Sequence, residues 1–305
     1  MIRYVLKRLA ELVPVLWAVI TIAFFLARLA PGGPFDAERK APPEALRQIE
    51  AYYRLDQPLW KQYALYLWGV ARGDLGPSFR KPGRSVTEWI LLRLPVSLEL
   101  GAYALAVALA LGLAGGLAAA LRPDTPLDRV LNAGALLGIC LPSFLLGPLL
   151  VLVCALWLGW FPVAGWSSPA HKVLPSFTLG ALYAAYLARL TRGSMLEMLG
   201  QDFIRAARAR GVSETRVVLV HALPGAMVPV SAFLGPAMAG LFTGSFVVET
   251  IFFIPGLGRE FVEAAFNRDY TMVIGAVVVY AVLVALLNLA ADLVTAWLDP
   301  RIRLE

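Results

Sequence analysis

Charge is scarce in this chain. Of its 305 residues only 16% are Asp, Glu, Lys or Arg, where a soluble domain carries about 25%. Histidine and cysteine are scarcer, with two of each. Two His and no Cys-x-x-Cys spacing exclude a structural zinc site. Cys140 and Cys154, read on one helix, lie about 21 Å apart at 1.5 Å per residue and cannot bridge. They read as small apolar packing residues. The dipeptide Gly-Lys is absent, so no Gly-x-x-x-x-Gly-Lys-Ser/Thr loop exists to cradle nucleotide phosphates. Gly-x-Ser-x-Gly and His-Glu-x-x-His are absent too, and no pair of acids stands at active-site spacing within an apolar run. No repeat or low-complexity tract is evident.

Apolar residues fill the space. They make up 59% of the chain, with a mean hydropathy of +0.70. Runs of eighteen or more apolar residues recur, the mark of membrane helices. The net charge of +6 then reads as Arg-rich loops facing an anionic leaflet, not as nucleic-acid binding. Six spans are expected, at about 9–29, 98–121, 130–158, 174–191, 226–252 and 271–298. The first follows a basic start (Arg3, Lys7, Arg8) but has a long apolar core and no Ala-x-Ala site. It therefore reads as a retained helix, not a signal peptide.

Arg and Lys positions set the orientation. With the N-terminus inside, the cytoplasmic face collects Arg3, Lys7, Arg8, Arg122, Arg129, Arg189, Arg192, Arg205, Arg208, Arg210, Arg216, Arg301 and Arg303, and the two short outer loops hold only Lys172, Arg259 and Arg268. The segment 31–95 resists the rule. It carries ten Lys and Arg against seven acids, yet would lie outside, where long loops escape the bias. Its aromatics (Tyr52, Tyr53, Trp60, Tyr63, Tyr66, Trp68) predict two amphipathic helices near the interface, over 44–54 and 58–72, the second starting at Pro58. Gly73-Asp74-Leu75-Gly76 reads as a turn. Gly112/Gly116, Gly134/Gly138 and Gly240/Gly244 are candidate close-approach pairs between helices.

One polar island interrupts the apolar pattern, at 192–224. It reads Asp202-Phe-Ile-Arg-Ala-Ala-Arg-Ala-Arg-Gly211, then Val-Ser-Glu-Thr-Arg216, then His221-Ala-Leu-Pro224. Asp202 is a candidate N-cap, and Gly211 suits a C′ position with positive φ. Phe203, Ala206, Ala207 and Arg210 form one face of the short helix between them, and Arg205 and Arg208 another. Ser213 can cap the helix that follows. So short a helix is marginal alone and calls for a partner surface, or for lipid to lie on.

The island resembles the coupling loop of ABC importer permeases: Glu-Ala-Ala, three residues, Gly, nine residues, Ile-x-Leu-Pro. Ala206, Ala207, Gly211, Leu223 and Pro224 match position by position. Arg205 stands where the pattern has Glu and His221 where it has Ile, departures typical of the peptide-importing branch. Leu55-Asp56-Gln57-Pro58 with Arg72-Gly73-Asp74-Leu75-Gly76, the stretch Glu249-Thr-Ile-Phe-Phe-Ile-Pro255-Gly-Leu-Gly258, and the ending Leu298-Asp-Pro-Arg-Ile-Arg303 carry the same likeness over nearly the whole length. The chain is similar to the dipeptide and oligopeptide permease family. That resemblance implies an all-α polytopic protein of the type I ABC importer transmembrane fold, N-in and C-in, with residues 1–95 as first helix plus extracytoplasmic segment and 96–305 as the core. It implies a multi-pass subunit in the inner membrane of a prokaryote. Its partners would be the lipid bilayer, a homologous second permease subunit, two ATP-binding subunits and an extracytoplasmic binding protein. ATP and Mg would be held by those partner subunits, with no cofactor and no catalytic residue in this chain. Asp202, Arg205, Ala206, Ala207, Arg210, Gly211, His221, Leu223 and Pro224 would couple it to the ATPase.

Few ionisable groups fall near the spans. Glu249, Asn288 and Asp292 are candidates for the transport path or for structural polar roles, since a carboxylate in lipid must face a cavity or partner. Glu249 reads first as a cap on the Pro-Gly-Leu-Gly loop, Glu99 as a helix-start residue favoured by the dipole, and His171 as a solvated loop residue. Related importers carry oligosaccharides, nickel complexes or glutathione, so cargo stays open. A proton-coupled secondary transporter would place acids deep in the spans, and an intramembrane enzyme would need a catalytic pair.

Overall fold

The computed structural model describes residues 2–29, 44, 51, 53–81, 83–243 and 246–298. Among them there is no strand, only an isolated antiparallel bridge between Pro77 and Ser85. The helices are α1 (Ile2–Leu29), α2 (Leu59–Ala71), α3 (Val86–Leu121), α4 (Pro126–Cys140), α5 (Ser143–Leu150) with a π-helical continuation (Val151–Trp157), and α6 (Pro169–Leu199). They continue with α7 (Asp202–Ala209), α8 (Glu214–Arg216), a π-helical run (Val217–Ala222), α9 (Leu223–Thr243), α10 (Phe246–Ile251), α11 (Leu257–Phe266) and α12 (Tyr270–Leu298). Among the described residues five helical stretches are long and apolar enough to cross a membrane, or six if one bent pair counts as a span.

That bent pair corrects the expectation of one continuous helix over 130–158. α4 and the 143–157 helix meet at 111°. The cause is Pro142. A residue before proline is pushed out of the α region, and Leu141 sits extended at φ −87°, ψ 111°. Cys140 and Cys154 therefore do not share a straight helix, and both are free thiols. Glu99 is corrected too. α3 begins at Val86 and runs through Pro95, which puts Glu99 in mid-helix instead of at a start. The Trp166 indole donates to its Oε2 at 2.9 Å, and Lys172 pairs with its Oε1. His171 lies in the first turn of α6, its Nδ1 2.8 Å from Ser168 Oγ. The helix expected at 44–54 and the ending 298–303 lie mostly outside the described residues.

The chain divides into two compact units, 1–97 with 255–285, and 98–254 with 286–305. In the first, Ile20 and Phe24 of α1 pack with Ile274 and Val278 of α12. The α2 aromatics join them: the Tyr63 ring lies 5.5 Å from that of Phe24, and its hydroxyl 2.6 Å from Thr21 Oγ1. α2 starts as expected after Pro58. The turn after it needs its glycines, since Gly73 and Gly76 sit at φ +77° and +84°, where a side chain is penalised. Buried Asp269 accepts from the Phe79 N–H at 3.1 Å and from the Ser78 hydroxyl. Glu260, 5% exposed, pairs with Lys81 and, at 3.5 Å, with Arg93.

The second unit is built on close helix approach. A Cβ added at Gly112 would stand 2.6 Å from Leu187 Cβ, one at Gly116 2.5 Å from the Ala188 carbonyl oxygen, and one at Gly180 2.6 Å from that of Ala104. The Gly112/Gly116 pair is thus a real seam between α3 and α6. At the second pair, a Cβ on Gly138 would meet Ala185 Cβ at 3.0 Å, while Gly134 faces open space. Gly240 lies against Tyr183, and Gly244 is outside the described residues. Arg192 of α6 holds buried Asp128 of α4 through two bonds of 2.7 and 2.8 Å. Arg192 is therefore a fixed structural cation, not simply a loop charge. A bidentate pair of this kind fixes angle as well as distance.

Candidate coupling site

The island folds as the sequence spacing expects, with one end altered. α7 spans Asp202–Ala209, and the residue at its N-cap is Gln201, without a side-chain capping bond. Asp202 is instead the first helical residue and pairs with Arg205 one turn on. A carboxylate there still meets the positive end of the helix dipole. The far end is a complete Schellman cap. Gly211 has φ +79°, its N–H donates to the Arg208 carbonyl at 2.9 Å, and the Val212 N–H donates to the Ala207 carbonyl at 3.3 Å. Ser213 stands at the N-cap of α8 but makes no capping bond with its side chain.

The two faces of α7 are sharply unlike. Ile204 and Ala207 are 0% and 1% exposed and sit in one cluster with Ala120, Met195, Val217, Val218, Ala222 and Ala226. Ala207 therefore belongs to the inward seam, which corrects its grouping with Phe203, Ala206 and Arg210. Ile204 is the anchor that sequence reading missed. The signal was available in the i, i+3 apolar spacing of 204 and 207, masked by the larger Phe203 beside it. Phe203 is 46% exposed, and Ala206 and Arg210 are exposed with it. A large aromatic, a small residue and a cation thus form one outward strip.

Charge on this surface is mostly paired. Arg208 donates to Glu214 at 2.5 and 3.0 Å. Those bonds hold the Glu214 carboxyl below its usual pKa and the Arg208 guanidinium above its own. The pair clamps α7 to the start of α8. His221 lies half-buried in the π-helical run, Leu223 packs against the α7 cluster, and Pro224 is exposed in the first turn of α9. The structure thus gathers the island residues around one helix and its supporting turn. Glu249, Asn288 and Asp292 lie elsewhere. Glu249 is completely buried on α10, and its carbonyl accepts from the Ile254 N–H at 2.8 Å ahead of the Pro-Gly-Leu-Gly turn. Asn288 is exposed and Asp292 half-buried, four residues apart on α12. No cluster of His, Cys, Asp or Glu fit for a metal occurs among the described residues.

Apolar helices long enough to cross a membrane, with a short amphipathic helix on a capped loop between two of them, fit a subunit embedded in a membrane. The chain belongs to the family described as "Binding-protein-dependent transport system inner membrane component", whose model matches residues 112–304. The companion N-terminal family matches residues 1–101. The chain is 45% identical to the oligopeptide transport system permease protein OppB of Haemophilus influenzae over 305 residues, covering 99% of this chain and 100% of that protein. It is 44% identical, with the same coverage, to OppB of Escherichia coli K12. Against the dipeptide transport system permease protein DppB of Bacillus subtilis the identity is 43%, covering 100% of this chain and 99% of that protein. Among solved structures, an inward-facing MetNI methionine ABC transporter chain superposes with a TM-score of 0.54 at 19% identity, covering 69% of this chain and 96% of that one. An amino acid ABC transporter with histidines gives 0.52 at 18%, covering 71% and 95%. The fold is that of a type I ABC importer transmembrane domain, and the chain is a multi-pass component of the inner membrane.

Proposed function

We propose that this chain is the permease subunit of an ATP-driven importer of dipeptides or oligopeptides. The observation that carries the reading is end-to-end likeness, at 43–45% identity, to relatives named for oligopeptide and dipeptide transport. The chain supplies half of a translocation path and a lever, while bond-making falls to partners. Those partners are a homologous permease subunit, two ATP-binding subunits that hold ATP and Mg, and an extracytoplasmic binding protein. ATP binding closes the nucleotide subunits, and α7 passes that motion to the spans through the Ile204/Ala207 seam. The outward strip of Phe203, Ala206 and Arg210 meets the ATP-binding subunit, with Arg205 at its edge. Gly211, His221, Leu223 and Pro224 hold the loop that presents it. Few buried charges suit a wide, weakly selective path with selectivity left to the binding protein.

Cargo is tested by the reconstituted complex with its binding protein. ATP hydrolysis is expected to rise when that protein is loaded with short peptides. Stimulation by a loaded oligosaccharide-, nickel- or glutathione-binding partner, with none by peptides, would replace the peptide assignment and leave the permease reading standing. Orientation, N-in and C-in, is tested by replacing Cys140 and Cys154 and placing single cysteines at Ser213 or Ser167, both exposed. An impermeant thiol reagent on intact cells should label position 167 and spare 213. Labelling of 213 alone would invert the topology.

A further inference from the structure

The first unit contains a cavity of about 780 Å³ that the transport reading leaves unused. Its wall joins the last turn of α1, α2 and the 73–85 turn region, and four cations line it: Arg28, Arg54, Lys81 and Arg84. Lys81 is taken by Glu260. Among the described residues no carboxylate pairs with the three arginines. The two acids in the wall have backbone partners, since Asp74 accepts from the Gly76 N–H at 2.9 Å and Glu88 from the Ser85 N–H at 3.4 Å. Three wall residues also hold a buried polar atom with no partner among the described residues: Arg28 Nε, Tyr66 Oη and Gln62 Oε1. Gln62 is 9% exposed. Orphaned buried groups carry a desolvation cost that a bound ligand removes. The set asks for an anion with several acceptor oxygens, and for one hydrogen-bond donor to meet Gln62.

Depth identifies the source of that anion. Arg28 ends a candidate membrane span, Tyr4–Leu29, so the cavity begins where hydrocarbon gives way to headgroups. The face of α1 turned away from the cavity is apolar and open, with Ile22 and Leu26 at 59% and 63% exposed, as a helix bordering lipid would have it. α2 exposes Leu59, Trp60 and Trp68, and Trp68 carries Arg72 over its ring at 4.4 Å. Aromatic residues of this kind mark the interface. We infer that this cavity binds the headgroup of an anionic phospholipid, its phosphodiester on Arg28, Arg84 and Tyr66 and a headgroup hydroxyl on Gln62. The inference gives the basic excess of segment 31–95 a use outside the membrane. It also ties the α1–α2 junction to lipid composition.

The test uses the full chain in its purified complex, with phosphatidylglycerol as the probe. After detergent delipidation, native mass spectrometry should find phosphatidylglycerol retained in preference to phosphatidylcholine. Arg28→Gln should raise the lipid concentration needed for half-retention about tenfold, the loss of one charge-assisted contact. Arg72→Gln, a nearby interfacial cation outside the cavity wall, should change nothing. Tyr66→Phe guards against a folding artefact. Without a ligand, removing an orphaned hydroxyl is neutral or stabilising, so weaker lipid retention at unchanged thermal stability supports the site. Equal retention by Arg28→Gln and Arg72→Gln would overturn the proposal, as would equal retention of both lipids. Glycerol 3-phosphate or a short peptide displacing the lipid as well as free phosphatidylglycerol does would also overturn it, by making the occupant a soluble anion. The outcome is independent of which cargo stimulates ATP hydrolysis.

Discussion

Gly211→Val should leave the chain inserted and weaken its hold on the ATP-binding subunits by about tenfold, with uptake falling in step. The residue sits at φ +79°, and a Cβ there would meet no atom within 4 Å. Crowding is therefore not the cause of the expected effect. Conformation is: a β-branched residue in the left-handed region costs on the order of 1–2 kcal/mol, and 1.4 kcal/mol is a factor of ten in an equilibrium. The strain falls on the Schellman bonds of Gly211 and Val212, which end a helix of only eight residues. Such a helix has little of its own stability to lose. Gly211→Asn tests the mechanism, because Asn tolerates the left-handed region. Its co-purification with the ATP-binding subunits should lie close to the parent's. Loss of binding in Asn as in Val would point to the missing glycine surface in place of the backbone angle. Full assembly and full uptake in the Val variant would remove the role assigned to this residue.

Much of this site was legible because its signals are local. A glycine after a short polar helix announces a positive φ whatever surrounds it, and Gly211 shows one. Charge scarcity and long apolar runs likewise report membrane spans without any tertiary information. The misreadings share the opposite character. Glu99 reads as a helix-start residue because the apolar run begins at about 98, yet α3 begins at Val86, accommodates Pro95 and continues. The partners that make a mid-helix carboxylate tolerable, Lys172 and Trp166, lie some seventy residues away in sequence and could not be read from its neighbours. The same holds for Arg192, counted as a loop charge but committed to Asp128 across two helices. Pro142 carried a usable signal, since a residue before proline avoids the α region. The continuous hydropathy of 130–158 outweighed it. Among the paired glycines, sequence could not separate Gly116, with a carbonyl waiting 2.5 Å from its absent Cβ, from Gly134, which faces open space.

The sharpest consequence of that long-range packing concerns two adjacent residues of α7. Ile204 points into the chain's own core at 0% exposure, and Phe203 is 46% exposed. Both are large and apolar, and a sequence pattern alone would let them trade places. Ile204→Ala should cost about 2–5 kcal/mol, the range for emptying a buried aliphatic site. Because α7 is short, the loss should appear as local release of the helix. Amide exchange across 202–211 should rise, and coupling should fail even with the outward surface chemically intact. Phe203→Ala should do the reverse. It removes no internal packing partner of the α7 cluster, so exchange and thermal stability should match the parent while retention of the ATP-binding subunits drops. Exposed aromatic residues at the centre of an interface commonly contribute on the order of 2 kcal/mol or more, enough to lose most of the complex during purification. Measuring exchange and partner retention on both variants separates a support role from a contact role. Unchanged partner retention in Phe203→Ala would show that the outward strip is not the docking surface, and raised exchange in that variant would place Phe203 in the core instead.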